Sequence, residues 1–275
     1  LEGLGMNERD LAKVSKAMTK TYGMILSTGP TGSGKTTSIY AILKILNKRG
    51  INITTIEDPV EYKIEGANQI QVNTKTNLTF ANGLRAILRQ DPNYVFVGEI
   101  RDGETASLAV NASLTGHLVL STIHTNSAAG AIPRLIDMGV DPYLIAPTLI
   151  LAVAQRLVGI LCPGGGKPLT VDKSIKMMID HQFSDLPEQY KKDIPFSDTI
   201  YQIAPTPDCP KGTRGRMGVF EVFKMDKDIE NVILKNPTEL DISRILRQKG
   251  MLVMKEDAII KTFQKVIPFE EVNKL

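Results

Sequence analysis

Gly29-Pro30-Thr31-Gly32-Ser33-Gly34-Lys35-Thr36 is the stretch on which the reading of this chain turns. Its spacing is that of a phosphate-binding loop, G-x-x-x-x-G-K-[ST]. The apolar run Met24-Ile25-Leu26 leads into it and reads as a buried strand. Thr37-Ser38-Ile39-Tyr40-Ala41-Ile42-Leu43-Lys44-Ile45-Leu46 follows with a helical pattern. Glycines let backbone N–H groups turn inward toward a polyphosphate. The helix behind them presents its positive N-terminal end to the same anion. The expected nucleotide-binding set is therefore Gly29, Pro30, Thr31, Gly32, Ser33, Gly34, Lys35, Thr36 and the adjoining Thr37. Lys35 is expected to reach the β and γ phosphates, and the Thr36 hydroxyl to sit on Mg²⁺. Thr37 carries no assigned role.

Downstream, strand and helix patterns alternate. Ile51 to Ile56 reads as a strand that runs into Glu57-Asp58-Pro59-Val60-Glu61-Tyr62, where Pro59 must end it. Residues 60–64 and 69–73 alternate apolar and polar positions, as a small hairpin would. Thr79 caps a helix to about Arg89. Tyr94-Val95-Phe96-Val97 is a third strand ending at Gly98-Glu99, and residues 103–114 form a helix. Leu118-Val119-Leu120 is a fourth strand, ending near His124, and helices follow at 127–138 and 142–155. Such alternation predicts an α/β fold with a mostly parallel sheet and helices on both faces. In open parallel sheets ligands bind at the carboxyl ends of strands. The glycine loop, Glu57, Glu99 and His124 each stand at such an end, so distant stretches converge on one rim.

That rim carries the chemistry of phosphoryl transfer: a cradle, a metal shell and a group to place water. Val95 to Glu99 is an apolar strand ending in an acid that faces the metal shell, with glutamate where aspartate is commoner. Glu57, Asp58 and Glu61 crowd three carboxylates at one strand end, a repulsion that a cation or phosphate-bound metal relieves. Either Glu57 or Glu61 then orients or deprotonates the water. His124, between hydroxyl residues, is placed to hydrogen-bond a γ-phosphate. Asp102 reads as a helix N-cap and His117 as structural. The predicted catalytic set is Glu57, Glu61, Glu99 and His124, with Thr36 and Glu99 toward magnesium.

The flanks are plainer. Residues 7–20 read as a helix with Asn7 as N-cap. After Gln155-Arg156-Leu157, residues 162–215 are rich in Pro, Gly, Lys and Asp with one helical stretch, Asp172 to His181. Met217 to Val222 reads as a returning strand, and 226–275 as helical. The 275 residues suffice for a sizeable core, and 42% hydrophobic with 23% charged residues is ordinary globular composition. A net charge of +3 is too small to argue for nucleic acid or an anionic membrane. No apolar run reaches the roughly 18 residues of a spanning helix, and the start has no secretory-signal pattern. Cys162 and Cys209 do not make a disulfide framework, so a reducing cytoplasm is the default. Each begins half of a C-x-x-C knuckle. With His181 they make at most three ligands, short of a structural zinc. A chain opening with Leu1-Glu2 is expected to be an excised fragment.

Taken together the motifs resemble the type II secretion and type IV pilus assembly ATPases, over almost the full length. Gly29 to Thr37 matches Walker A, Ile56 to Tyr62 the family's Asp box, Val95 to Thr105 Walker B, and Thr115 to Asn126 the His box. Ala154 to Leu157 and Gly215 to Glu221 are similar to further family stretches. The resemblance implies a RecA-like P-loop ATPase using ATP and Mg²⁺. It also implies a homo-hexamer at the inner face of the cytoplasmic membrane. Such a ring moves an inner-membrane platform protein, is peripheral to the membrane through partners, and needs no nucleic acid. The expected division is a linker and helix (1–22), an ATPase core (23–158), a loop-rich insertion (159–222) and a helical C-terminal subdomain (223–275). Two departures stand out. Gly165 occupies a position where a tetracysteine zinc site would have a cysteine, so no zinc is expected. The domain that in the family supplies arginines to the neighbouring active site is not in this sequence, so the chain alone is expected to bind ATP and turn it over slowly. The insertion favours the assembly and secretion branch over retraction. The competing readings are a RecA-like DNA translocase and a nucleotide-gated scaffold that hydrolyses nothing.

Overall fold

Capping residues set the first half of the chain. The computed structural model describes residues 2–235 and 237–275; Leu1, counted with the linker, and Asn236, counted with the C-terminal subdomain, lie outside the described residues. Asn7 caps α1 (Glu8–Met18), its side chain accepting from the Asp10 amide at 2.9 Å. β1 (Gly23–Thr28) is buried throughout and passes through the glycine loop into α2 (Lys35–Leu46). β2 (Ile53–Glu57) and β3 (Asn68–Gln71) follow. Thr79 caps α3 (Phe80–Leu88), and β4 (Tyr94–Val97) comes next. Asp102 caps α4 (Gly103–Leu114), accepting from Thr105 N at 2.8 Å, and β5 (Leu118–Ile123) completes the series.

Three local expectations are corrected. The hairpin over 60–64 and 69–73 does not form. β3 instead pairs in parallel with β2, Thr54 opposite Asn68 to Glu57 opposite Gln71. Side chains fasten the preceding segment: Gln69 Oε1 accepts from Ile64 N at 2.7 Å. The helix near 127–138 is shorter, α5 (Ala131–Asp137), and the helix over 142–155 stops early as α6 (Pro142–Thr148). The rest of that run is β6 (Leu149–Leu161). An unbroken apolar run suits a buried strand as well as a helix, and here β1 offers a free edge with which β6 pairs in parallel.

Beyond β6 lie β7 (Lys167–Thr170), α7 (Lys173–Gln182), α8 (Glu188–Lys191) and β8 (Thr199–Gln202); β7 and β8 form a small antiparallel sheet. β9 (Thr213–Lys224) then returns antiparallel to β6. The expected boundaries at 158/159 and 222/223 thus fall inside strands of the main sheet. The cysteines are also corrected. Leu161 pairs with Thr213, which brings together the turns just beyond, and Cys162 and Cys209 are joined through their sulfurs. Among the described residues no group of three or more His, Cys, Asp or Glu is placed to hold a metal ion.

The main sheet runs β3-β2-β4-β5-β1-β6-β9, parallel except for β9. Alternate residues feed two cores. Met24, Leu26, Val97, Val119, Ala152 and Phe223 face one; Ile25, Phe96, Leu120, Leu151, Val153 and Phe220 face the other, with residues of α1 and α2. α9 (Lys227–Ile233), α10 (Glu239–Gln248) and α11 (Met254–Phe263) add to the first core. Their clasp is Arg247, buried, which donates to Asp185 at 2.8 Å and to Glu256 at 2.7 Å.

Candidate functional site

The glycine loop can take its shape only without side chains at two points. Gly29 and Gly34 lie at φ 144° and 88°, in the range L residues avoid. A Cβ at Gly29 would stand 2.5 Å from Gln155 O, and one at Gly34 2.9 Å from Gln155 Nε2. Gln155, on the neighbouring β6, donates to Ser33 O at 2.8 Å and so clamps the loop to the sheet. Lys35 heads α2 and folds back, its ammonium donating to Gly29 O at 2.8 Å and Pro30 O at 3.0 Å. Burial holds that ammonium below its ordinary pKa, with Glu99 pulling the other way. The Ser33 hydroxyl is buried and has no partner among the described residues.

A cavity of about 240 Å³ opens above the loop, at the carboxyl ends of β1, β2, β4 and β5. Lys35, Thr36, Glu57, Glu61, Glu99 and His124 all border it, with Thr31 and Gly32. Gly29, Pro30, Ser33 and Gly34 belong to the loop but do not border this cavity. Thr37 faces elsewhere, into a second cavity of about 320 Å³ beside Gly34, Gln155, Leu157 and Arg216.

Within the first cavity the carboxylates differ. Glu57 is buried; Tyr40 OH donates to it, as do Thr55 Oγ1 at 2.5 Å and Gln69 Nε2 at 3.2 Å. Burial and the Glu57 carboxylate together push the Tyr40 phenol up. Glu61 is exposed at the rim. Glu99 receives Arg101 Nε at 2.6 Å, and His124 Nε2 lies 2.6 Å from its other oxygen. Asp58 stands 3.8 Å from Arg101. Asp102 is occupied as a helix cap, and His117 lies at the far end of β5 with Nδ1 3.2 Å from Ala112 O.

Sequence reasoning passed over Tyr40, Gln155 and Arg101. Gln155 had a signal: a single amide inside a buried apolar run is costly unless it has a specific partner. The Tyr40–Glu57 pairing joins two elements and had none. The arrangement offers a cation and backbone amides to a polyphosphate, hard oxygen ligands to a divalent cation, and a carboxylate–imidazole pair at the rim.

A sequence model of the family described as "Type II/IV secretion system protein" matches residues 1–274. The type II secretion system protein E of Pseudomonas aeruginosa is 45% identical over 276 residues, which takes in 100% of this chain and 53% of that protein. The type IV pilus assembly ATPase PilB of Acinetobacter baylyi is 40% identical over 275 residues, 100% of this chain and 46% of the relative. Among solved structures, the pilus retraction motor PilT with bound ADP superposes with a TM-score of 0.71 at 28% identity, over 99% of this chain and 65% of the other. The chain spans about half the length of the curated relatives it matches.

Proposed function

Because this chain belongs to the type II/IV secretion system protein family, we propose that it is the ATP-hydrolysing part of a secretion or pilus-assembly motor. The observation that carries the reading is the convergence of Lys35, Thr36, Glu61, Glu99 and His124 on one cavity above a left-handed glycine loop.

The residues suit a nucleotide with magnesium. Lys35 rests on its own loop's carbonyls and has only to swing from them to a phosphate. The Ser33 hydroxyl lacks a partner among the described residues, and a Cβ at Gly29 or Gly34 would close the cradle. Magnesium held by the Thr36 hydroxyl and the Glu99 side would neutralise charge on the β and γ phosphates. Lys35 and the loop amides bind the phosphates. Glu61 orients the attacking water, since Glu57 is already engaged by Tyr40, Thr55 and Gln69 and instead stiffens the strand end. Glu99 and His124, in contact, face the terminal phosphate and register its loss. The second cavity, which adjoins the loop at Gly34 and is lined by Thr37, would take the nucleoside end.

We extend the reading to a homo-hexamer acting on an inner-membrane platform protein at the cytoplasmic face. Its support is the resemblance carried by the ordered boxes; the relatives' names go no further than type II secretion and type IV pilus assembly. No described helix is long and apolar enough to cross a membrane.

Phosphate release and nucleotide binding test the proposal. Lys35→Ala is expected to abolish binding. Glu99→Gln is expected to keep binding while cutting turnover by about 100-fold or more; unchanged turnover refutes the role given to Glu99. Strong stimulation by single-stranded DNA would identify a translocase. Tight binding without any turnover would leave a scaffold.

A further inference from the structure

β9 places Val219 and Phe223 in the larger core. Between them, on the same face, stands Glu221, only 4% exposed. A carboxylate in an apolar row is unfavourable unless it is well partnered. The carboxyl is pushed up to about 7, chiefly by burial, with Glu239 and Glu256 acting in the same sense against the Ala128 and Ala129 amides. Neither the phosphate cradle nor the carboxylate cluster uses it.

Its partner is a distant stretch of chain. The Ala128 amide donates to Glu221 Oε1 at 2.8 Å. Strand register shows why the two meet. Ile123 of β5 pairs with Thr28 of β1, Thr28 with Ala154 of β6, and Ala154 with Glu221 of β9. The four form one row across the rim of the sheet, and paired residues of a row project to the same side. The segment leaving β5 runs along this row. Thr125 N donates to Thr28 Oγ1 at 2.9 Å, which is the first anchor. Ala154 offers only a methyl and lets the backbone pass. Ala128, held by Glu221, is the second anchor. His124 is the residue between the end of β5 and the first anchor. Ser127, just before the second, donates its hydroxyl to Glu239 in the first turn of α10.

We propose that Glu221 is a positioning residue for His124: by accepting the Ala128 amide proton it fixes the far end of segment 124–130 and so sets the imidazole against Glu99. The inference rests on the reading of His124 as the residue facing the terminal phosphate. With Glu221 gone, the backbone anchor at Ala128 is lost and the segment is left to Thr28 and the exposed Ser127–Glu239 contact, so the imidazole loses part of its support. The Ser127–Glu239 contact makes α10 the first element of the helical subdomain to feel the change.

The test is nuclear magnetic resonance of the ring protons of the three histidines in the nucleotide-free chain, with His124→Gln for assignment and His117 as the fold control. In Glu221→Ala the His124 resonances are expected to shift or broaden while those of His117 stay. Glu221→Gln, whose amide oxygen still accepts from Ala128, is expected to restore them. Glu221→Asp keeps the carboxyl but shortens the reach, and is expected to behave like alanine; it serves if alanine fails to fold. In parallel, ADP affinity should hold nearly constant, and preference for a non-hydrolysable ATP analogue over ADP should fall at least about fivefold in the alanine variant. A folded alanine or aspartate variant with unmoved His124 resonances overturns the proposal, as does failure of glutamine to rescue. A chain that binds no nucleotide at all would refute the proposed function but leave the resonance test to decide on Glu221.

Discussion

Glu57 and Glu61 border the same cavity in different states of engagement. Glu57 is buried and receives three donors, so its negative charge is already met. Glu61 is exposed and can turn to a water. Separate consequences follow for the two glutamines. Glu61→Gln should lower turnover by about 100-fold and leave the melting temperature where it was. In Glu57→Gln an amide NH₂ must face donors that expect an acceptor. Leaving buried groups unsatisfied costs about 1–3 kcal/mol, which is a drop of several degrees in melting temperature for a chain of this size. Thermal denaturation and phosphate release, run on both variants, separate the roles. A stable Glu57→Gln with lost turnover, beside a fully active Glu61→Gln, would reverse the assignment.

The phosphate-binding element depends on its neighbour strand as much as on its own glycines. Gly34→Ala would strain a residue at φ 88° and push a methyl to 2.9 Å from Gln155 Nε2, the group that clamps Ser33. A left-handed alanine costs about 1–2 kcal/mol. The expected outcome is a modest fall in melting temperature with loss of most nucleotide affinity, checked by titration with a fluorescent nucleotide. Wild-type affinity would show that the loop tolerates the change. This element also marks what the sequence could and could not disclose. The meeting of Lys35, Thr36, Glu99 and His124 at one cavity was legible because each is local: a motif, or the residue at which an apolar run stops. The α/β class was legible because strand and helix periods alternate. The run 149–155 was not, since an unbroken apolar stretch has no period to distinguish strand from helix. Its outcome depends on β1 and β9, which lie far along the chain. Arg247 was hidden similarly. It stands on a helix whose apolar face was visible, but its partners Asp185 and Glu256 come from other segments. For Glu221 the signal was present, one acid between Val219 and Phe223 in a returning strand, yet its partner amide could be found only from strand register.

At the scale of the whole molecule, Glu221 makes global stability depend on pH between the ordinary carboxylate range and neutrality. Its carboxyl is raised from an ordinary 4.5 to about 7, so between those values the folded chain holds a proton that the unfolded chain has released. Stability therefore falls as pH rises through this range, and the contribution present at acid pH is gone above the folded value. At about 1.4 kcal/mol per unit the full loss is about 3 kcal/mol. Glu256 and Asp257, raised chiefly by burial and opposed by Arg247 and Lys261, act in the same direction. Asp226, where burial pushes up but Lys249 prevails, and Asp241, bonded by Thr238, are both held low, so they lend stability above the ordinary aspartate range and lose it only in stronger acid. The wild-type slope thus mixes several groups, and the difference between variants isolates one. Glu221→Gln keeps an acceptor for Ala128 but cannot ionise. Urea denaturation at pH 5 and pH 8 should find the glutamine variant close to wild type at the lower pH and more stable by about 2–3 kcal/mol at the higher. Equal differences at the two pH values would mean that Glu221 stays ionised in the fold, its charge carried by the Ala128 and Ala129 amides.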